Sequence, residues 1–180
     1  MSTKHRLVAL LGAGLTVVAL TAASVGSASA DNGVRQIEMT DDCDPATFNA
    51  AIGPGTCRGD GDTTFAQFLK QLSPKHVPEV WAFDPSRATA KAGQTIVAKN
   101  VGGETHTFTC VTEFGGGVVG LLNTLGGFKT PAKPCANEDV PGSFVPSGGK
   151  RVVTLGGPGT AMYQCLIHPW MRTTLRVRGD

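Results

Sequence analysis

Short stretches with strict two-residue alternation, separated by glycine and proline, are the feature that most constrains how this chain can fold. They begin near Trp81 and continue almost to the C-terminus. In the last of them, T-T-L-R-V-R, Leu175 and Val177 share one face of a strand and two arginines share the other. Short alternating strands between Gly and Pro turns are typical of a β-sandwich or barrel. The sequence therefore predicts an all-β domain over residues 81–180.

The first thirty residues have the features of a secretory signal peptide. A basic start with Lys4 and Arg6 precedes an apolar run from Leu7 to Ala23 and a small-residue stretch that ends at Ala30. The apolar run is short for a membrane-spanning helix and has no charged flank on its C-terminal side. We expect cleavage after Ala30 and export to the cell envelope, the periplasm or the outside, with no membrane span in the mature chain. A retained anchor is the alternative.

The predicted mature chain has no net charge. Cleavage removes two of the 16 Lys plus Arg residues and none of the acids, so that 14 basic side chains remain against 14 Asp plus Glu. A nucleic-acid-binding protein needs a basic face, and this charge balance argues against nucleic acid as a partner. We expect the mature protein to be a monomer.

An exported chain with five cysteines has one cysteine too many for disulfide pairing. A leftover thiol outside the cell pairs between chains, reacts or binds metal. We favour two disulfides, Cys43–Cys57 and Cys110–Cys135, with Cys165 left free, and the spacing leaves other pairings open. The first disulfide would stabilise its small loop by about 3 kcal/mol through loop-closure entropy.

Residues 31–80 precede the β pattern, and we predict an acidic, loop-rich arm that contains one short helix. Asp44 and Pro45, between the first two cysteines, favour the start of a helical turn. Further on, T-T-F-A-Q-F-L-K-Q-L has apolar residues at positions i, i+3, i+4 and i+7, which form the single apolar stripe of a short helix. We expect this helix to pack on a sheet rather than to bind a partner. The stripe consists of Phe65, Phe68, Leu69 and Leu72.

Four residues could together bind a metal ion. Cys165, His168 and Met171 lie three residues apart in Y-Q-C-L-I-H-P-W-M, and His106 shares a strand face with Phe108 in E-T-H-T-F-T-C-V. Alone, His106 is better explained as a core residue. A strand pair that brings it beside the loop would complete a set of two His, one Cys and one Met, which is typical of blue copper sites. Zinc prefers ligands without a thioether, and iron–sulfur clusters need more thiolates.

Two segments of the chain resemble the cupredoxins, the plastocyanin, pseudoazurin and amicyanin group of small blue copper proteins. They are N-V-G-G-E-T-H-T-F (100–108) and P-G-T-A-M-Y-Q-C-L-I-H-P-W-M (158–171). The resemblance covers about residues 81–180 and implies a Greek-key β-sandwich or barrel with one type I copper ion. The C-x₂-H-x₂-M spacing is most similar to the short loop of amicyanin. The implied copper ligands are His106, Cys165, His168 and Met171.

Asn100, Thr107, Trp170 and Arg172 are candidates for support of the site or for partner docking. Thr107 stands where plastocyanin-like members often have an Asn that braces the ligand loop, so we expect that bond to be missing or different. Arg172 follows the implied axial Met, and we hypothesise that its charge favours Cu(I). Trp170 either forms part of a docking rim or shields the metal from water.

The resemblance implies single-electron transfer by a carrier that is not an enzyme. His168, expected in an exposed loop, is the predicted exit for the electron, and Pro169 and Trp170 would form an apolar rim for weak docking of a redox partner protein. One alternative is a copper carrier or storage protein of the cell envelope. Another is a nitrosocyanin-like site in which Glu104 replaces the axial Met. A metal-free structural cupredoxin is the third.

Overall fold

A computed structural model describes residues 35–179, and the predicted signal peptide lies outside this range. None of the helices within it is both long and apolar enough to cross a membrane. The described helices are α1 (Pro45–Ala51), α2 (Phe65–Gln71) and α3 (Gly120–Gly126), with a 3-10 turn at Pro141–Ser143. The described strands are β1 (Arg35–Thr40), β2 (Ala82–Asp84), β3 (Arg87–Lys91), β4 (Thr95–Asn100), β5 (His106–Thr107), β6 (Thr109–Glu113), β7 (Lys133–Pro134), β8 (Phe144–Val145), β9 (Lys150–Thr154), β10 (Gly159–Gln164) and β11 (Arg172–Arg178).

Two open sheets form the body of the described chain. One has the strand order β2-β1-β4-β9, and the other has the order β3-β11-β10-β6-β7. The pairs β1–β4 and β11–β3 are parallel, whereas the remaining neighbours in both sheets are antiparallel. Strands β5 and β8 form a separate two-stranded ribbon. The predicted all-β architecture is confirmed, and it is a sandwich of open sheets rather than a closed barrel.

A continuous apolar core joins the two sheets. Phe83 of β2 lies with its ring centroid 5.4 Å from that of Phe108, which stacks at 4.3 Å on Tyr163 of β10. Ile96 of β4 and Leu175 of β11 are fully buried in the same cluster. Stacked and tilted ring pairs at these separations stabilise a core beyond the apolar area that they bury.

The acidic arm contains a strand where the sequence pattern predicts loops. β1 pairs in parallel with β4 and antiparallel with β2, so it lies inside the first sheet. Its buried residues are Ile37 and Met39, and the polar residues around them are more exposed. Two apolar residues are too few for a recognisable alternation, and the parallel partner lies about sixty residues away along the chain. Long-range pairing therefore decides this strand, and local propensity does not.

The helical turn predicted after Asp44 is helix α1, and the short helix predicted from the apolar stripe is α2. Asp44 caps α1 through hydrogen bonds from the amides of Ala46 and Thr47, and proline occupies the first turn. Helix α2 starts at Phe65, directly after a capping box formed by Thr64 and Gln67. The buried stripe of α2 packs against aromatic rings, and Phe68 lies 5.5 Å from Phe48 and 4.8 Å from Trp81 between centroids.

The disulfides are the predicted pairs, Cys43–Cys57 and Cys110–Cys135. Cys165 is the free cysteine of the described residues, and it is fully buried. The second disulfide closes residues 110–135, a glycine-rich segment that contains α3.

The segment around His106 is buried on both strand faces, including the face opposite His106 and Phe108. Its chain leaves the β5–β8 ribbon after Thr107 and joins the second sheet at Thr109, so neighbouring structure covers both of its faces. Both threonines are fully buried. The Thr109 hydroxyl donates to the Thr107 hydroxyl at 2.9 Å and lies 2.8 Å from that of Ser143. These hydrogen bonds satisfy the buried hydroxyls and so offset the cost of burying the two threonine side chains.

Candidate metal centre

Three side chains with metal-binding atoms converge inside the described part of the chain. One ligand atom each from His106, Cys165 and His168 lies within 4.8 Å of the others. The two Nδ1 atoms are 3.2 Å apart, and the Cys165 Sγ is 4.0 Å from each of them. All three residues are at most 2% exposed. A thiolate and two imidazoles that meet in this way suit one copper ion.

The sheet and the loop after β10 bring these residues together. Strand β10 pairs with β6, with Gln164 opposite Thr109, so the end of β10 lies next to the segment that carries His106. The Sγ of Cys165 accepts hydrogen bonds from the Thr107 amide at 3.3 Å and from the His168 amide at 3.4 Å. Amide donors at the sulfur favour its charged form.

The thiol of Cys165 is shifted towards the thiolate. Burial by itself raises its pKa, but hydrogen bonds and charge interactions with His106 and His168 outweigh burial and hold the pKa well below its usual range. The thiolate is the form of cysteine that binds metals.

Met171 closes the ligand loop and is buried beside it. Its amide donates to the His168 carbonyl at 2.9 Å, and its carbonyl accepts from the Cys165 amide at 3.0 Å. The side chain is 1% exposed. The predicted role of its thioether as the weak axial ligand stays a prediction.

Asp41 holds the far side of His106, and sequence reasoning missed this residue. Its Oδ2 lies 2.8 Å from the Nε2 of His106, with both side chains almost fully buried. Burial by itself raises the pKa of the Asp41 carboxyl, but the hydrogen bond and charge of His106 and two backbone amides lower it to about 2. Burial by itself lowers the pKa of His106, whereas Asp41 and Cys165 raise it to about 9. The sequence carries no signal for the contact, since Asp41 is one of several acids in the arm and lies 65 residues from its partner.

Glu104 faces the far side of the other histidine. Its Oε2 accepts a hydrogen bond from the Trp81 indole at 2.6 Å and lies 3.5 Å from the Nε2 of His168. Burial raises the pKa of Glu104, although the nearby His168 and the indole donor offset part of that rise. The atom of His168 that faces the other metal-binding groups is Nδ1, so the carboxylate stands on the opposite side of the ring. This position does not favour the nitrosocyanin-like alternative, in which Glu104 would take the axial place.

Two of the predicted supporting residues brace the polypeptide around the site. The buried side chain of Asn100 donates to the carbonyls of Glu104 and Val145 at 2.7 and 2.9 Å and accepts from the Gly102 amide. The Thr107 hydroxyl accepts from the Leu166 amide at 2.7 Å. A hydroxyl therefore makes a bond to the ligand loop at the position where the family resemblance implies an amide side chain.

The other two predicted supporting residues, Trp170 and Arg172, flank the ligand loop. Trp170 is half-buried, with its ring centroid 5.5 Å from that of His168 and 6.5 Å from that of Phe128. Its indole nitrogen is buried without a hydrogen-bond partner among the described residues. Arg172 donates to the Pro169 carbonyl at 2.7 Å, and its guanidinium lies 4.9 and 5.3 Å from the ring centroids of Phe114 and Phe128, within cation–π range.

The predicted exposure of His168 is wrong. The residue is only 2% exposed, and Phe68 of α2 meets its ring edge-on with 6.0 Å between centroids. Beside it lies a largely apolar cavity of about 400 Å³, lined chiefly by residues of α2, of α3 and of the ligand loop. The arm and the segment between Cys110 and Cys135 thus cover the ligand loop, and local sequence could not place either of them there.

Comparison with protein-family models finds no match for the chain, and comparison with curated proteins finds none either. Solved structures do match. A novel purple cupredoxin from Nitrosopumilus maritimus is 15% identical, with 80% of this chain and 99% of that chain covered and a TM-score of 0.42. The oxidised form of plastocyanin from Dryopteris crassirhizoma is 16% identical, with 79% and 99% covered and a TM-score of 0.39. A reduced Cu(I) form of an amicyanin mutant is 17% identical, with 59% and 90% covered and a TM-score of 0.37.

At TM-scores below 0.5 these likenesses assign neither a fold family nor a function to this chain. The assignment of a copper site rests instead on the side chains that converge in this chain.

Proposed function

We propose that this chain is an exported blue copper protein that transfers single electrons and is not an enzyme. The observation that carries the proposal is the buried convergence of His106, Cys165 and His168, with the cysteine poised as a thiolate. Copper bound to a thiolate and two imidazoles supplies a one-electron Cu(II)/Cu(I) couple. Met171, buried in the same loop, is proposed as the weak fourth ligand.

The side chains around this group support electron transfer by keeping the ligands in place and water away. The cysteine sulfur is fixed by two amide donors, and the ligand loop is tied to Thr107. Phe68 and Trp170 cover His168. Ligands that are already in position in the folded chain move little when a charge changes, which is the property that an electron carrier needs.

A redox partner protein is proposed to dock weakly over the cavity beside His168. Ile52 and Leu121, which line this cavity, are more than half exposed. Trp170 lies next to the histidine on the same loop. Because His168 itself is covered, the electron would cross this apolar layer rather than leave from a bare imidazole edge.

The site is tested by its colour. Residues 31–180 loaded with copper are expected to show an intense visible thiolate-to-Cu(II) band, and Cys165→Ser is expected to abolish it. His106→Ala and His168→Ala should alter or remove the band, whereas the matched control His76→Ala, at an exposed histidine, should leave it unchanged.

Voltammetry then separates electron transfer from copper handling. A reversible one-electron wave supports the proposed carrier. A colourless protein that gives up Cu(I) readily to a chelator would contradict it and support a copper storage or delivery role.

Export is proposed from the N-terminal pattern alone. The secreted protein should begin at Asp31 when its N-terminus is sequenced. A chain that keeps Lys4 and Arg6 in the membrane fraction would contradict cleavage.

A further inference from the structure

The carboxylate of Asp41 is enclosed by four donors, and one of them is the ring of a proposed ligand. Its Oδ1 accepts from the amides of Cys43 at 3.2 Å and Gly103 at 3.0 Å. Its Oδ2 accepts from the Glu104 amide at 3.0 Å and lies 2.8 Å from the Nε2 of His106. The side chain is 1% exposed. These four contacts fix both the position and the orientation of the carboxylate.

The backbone opposite Asp41 is shaped for this approach. A Cβ atom on Gly102 would overlap the Asp41 carboxylate, and one on Gly103 would overlap the backbone of Gly59 and the Sγ of Cys43. The Cys43–Cys57 disulfide also lies close to Gly103. Arg58, the residue after Cys57, donates its amide to the Gly103 carbonyl at 2.8 Å. The arm is therefore fastened to the loop before His106, and Asp41 lies at the junction.

The geometry leaves only one nitrogen of His106 free for a metal. Nε2 faces Asp41, whereas Nδ1 faces the Cys165 sulfur and the Nδ1 of His168. A carboxylate acceptor at Nε2 keeps a proton on that nitrogen, fixes the plane of the ring, and makes the opposite nitrogen a stronger donor.

We propose that Asp41 is a positioning residue of the copper site, which holds His106 in the Nε2-protonated form and makes the site favour Cu(II) over Cu(I). The inference rests on the proposed copper function. The more charged ion gains more from a stronger imidazole donor and from a nearby negative charge, so the carboxylate lowers the reduction potential. The acidic arm thus tunes the metal site in addition to its place in the fold.

The test is the reduction potential of copper-loaded Asp41→Asn. Asp41→Asn removes the negative charge and keeps one acceptor oxygen, and substitution of a hydrogen-bond partner behind a ligating histidine typically weakens metal binding about 10- to 100-fold. We expect the affinity for Cu(II) to fall about tenfold relative to that for Cu(I), which raises the potential by about 59 mV for a one-electron couple. The matched control is Asp44→Asn, which removes the same charge three residues away and keeps a helix-capping side chain.

An Asp41→Asn potential equal to that of Asp44→Asn, or lower than that of the wild type, overturns the inference and leaves Asp41 with a purely structural role. A raised potential in folded, copper-loaded Asp41→Asn, with the potential of Asp44→Asn unchanged, supports it whatever the difference in unfolding midpoint.

A second measurement applies if Asp41→Asn does not fold. In the ¹⁵N-labelled wild-type protein loaded with Zn²⁺, the Nε2 proton of His106 should resonate far downfield and exchange slowly with water. Rapid exchange of that proton overturns the inference. This readout does not depend on redox activity, so a wild-type copper protein without a thiolate band would refute the proposed function while the role of Asp41 is still decided.

Discussion

Thr107 shows how a single residue can substitute for another in bracing a site. The family resemblance implies an amide side chain at this position, and this chain has a hydroxyl. That hydroxyl accepts from the Leu166 amide and from the Thr109 hydroxyl, and the backbone amide of the same residue donates to the Cys165 sulfur. One threonine thus connects the segment of one proposed ligand to the loop that carries the other three.

Replacing Thr107 with valine tests this bracing. The substitution keeps the shape of the side chain but leaves the buried Leu166 amide without its acceptor, which should cost about 1–3 kcal/mol in the free energy of unfolding. Urea unfolding of the copper-loaded protein measures it. Thr112→Val, at an exposed hydroxyl on β6, is the control and should change stability by less than about 0.5 kcal/mol. Equal effects of the two substitutions would refute the bracing role.

At the scale of elements, the two arm helices act together as a cover over the ligand loop. Phe68 of α2 contacts Phe48 of α1 and Trp81, and it also meets the rings of His168 and Trp170. The apolar stripe that predicts α2 from sequence is therefore the surface that closes the site. The surface against which α2 packs could not be predicted from the stripe, since an apolar stripe can be buried against any apolar surface.

Phe68→Ala should destabilise the fold and open the site. Removal of a buried phenylalanine ring typically costs about 3–5 kcal/mol, and water would reach His168 through the space that is left. The thermal unfolding midpoint and the rate of copper loss to a chelator measure the two effects. Phe144→Ala, at a ring that is 43% exposed, is the control. Copper loss no faster than in the control would argue against the cover.

Asp44, the N-cap residue of α1, should make the stability of the protein depend on pH in the acid range. A hydrogen bond from the Thr47 side chain, with help from the Thr47 and Ala46 amides, lowers the pKa of Asp44 below its usual value of 3.8. When the pKa of a carboxyl is lower in the folded than in the unfolded chain, the carboxylate stabilises the fold at pH values above the unfolded-state pKa. That stabilisation is lost as the pH falls through the folded-state pKa. Asp44→Asn should therefore flatten the decline in stability between about pH 5 and pH 2, measured by urea unfolding. An unchanged acid limb would show that Asp44 does not contribute to it.

For the whole molecule, the arm is part of the sandwich. β1 pairs with both β2 and β4, and Asp41 lies just beyond its end. The predicted boundary near residue 80, between arm and copper domain, stays a prediction. The pairing shows, however, that the first sheet takes an inner strand from the arm.

Deletion of residues 31–75 should prevent folding, because it exposes the edges of β2 and β4 and removes the cover of His168. Circular dichroism and the visible copper band of the truncated chain measure this. A matched truncation at the other end, removal of residue 180 alone, should leave both signals intact. A folded, coloured product from residues 76–180 would show that the β-sandwich is complete without the arm.

The sequence by itself determined what short-range patterns can encode. Alternation predicted strands such as β6 and β11 of the second sheet, and capping residues and an apolar stripe predicted α1 and α2. The favoured cysteine pairs are the observed disulfides, although the spacing left other pairings open. The spacing of Cys165, His168 and Met171 located the site, because three of its proposed ligands lie on one loop.

Only the tertiary structure decided which distant groups meet. The strand β1, the contact of Asp41 with His106 and the burial of His168 each join segments separated by about sixty to a hundred residues. No local propensity carries that information, since an acid, a histidine or an apolar stripe is compatible with many partners. The free energy of packing the whole chain selects among these partners. In the folded chain the acidic arm contacts both histidines of the proposed metal site, through Asp41 and Phe68.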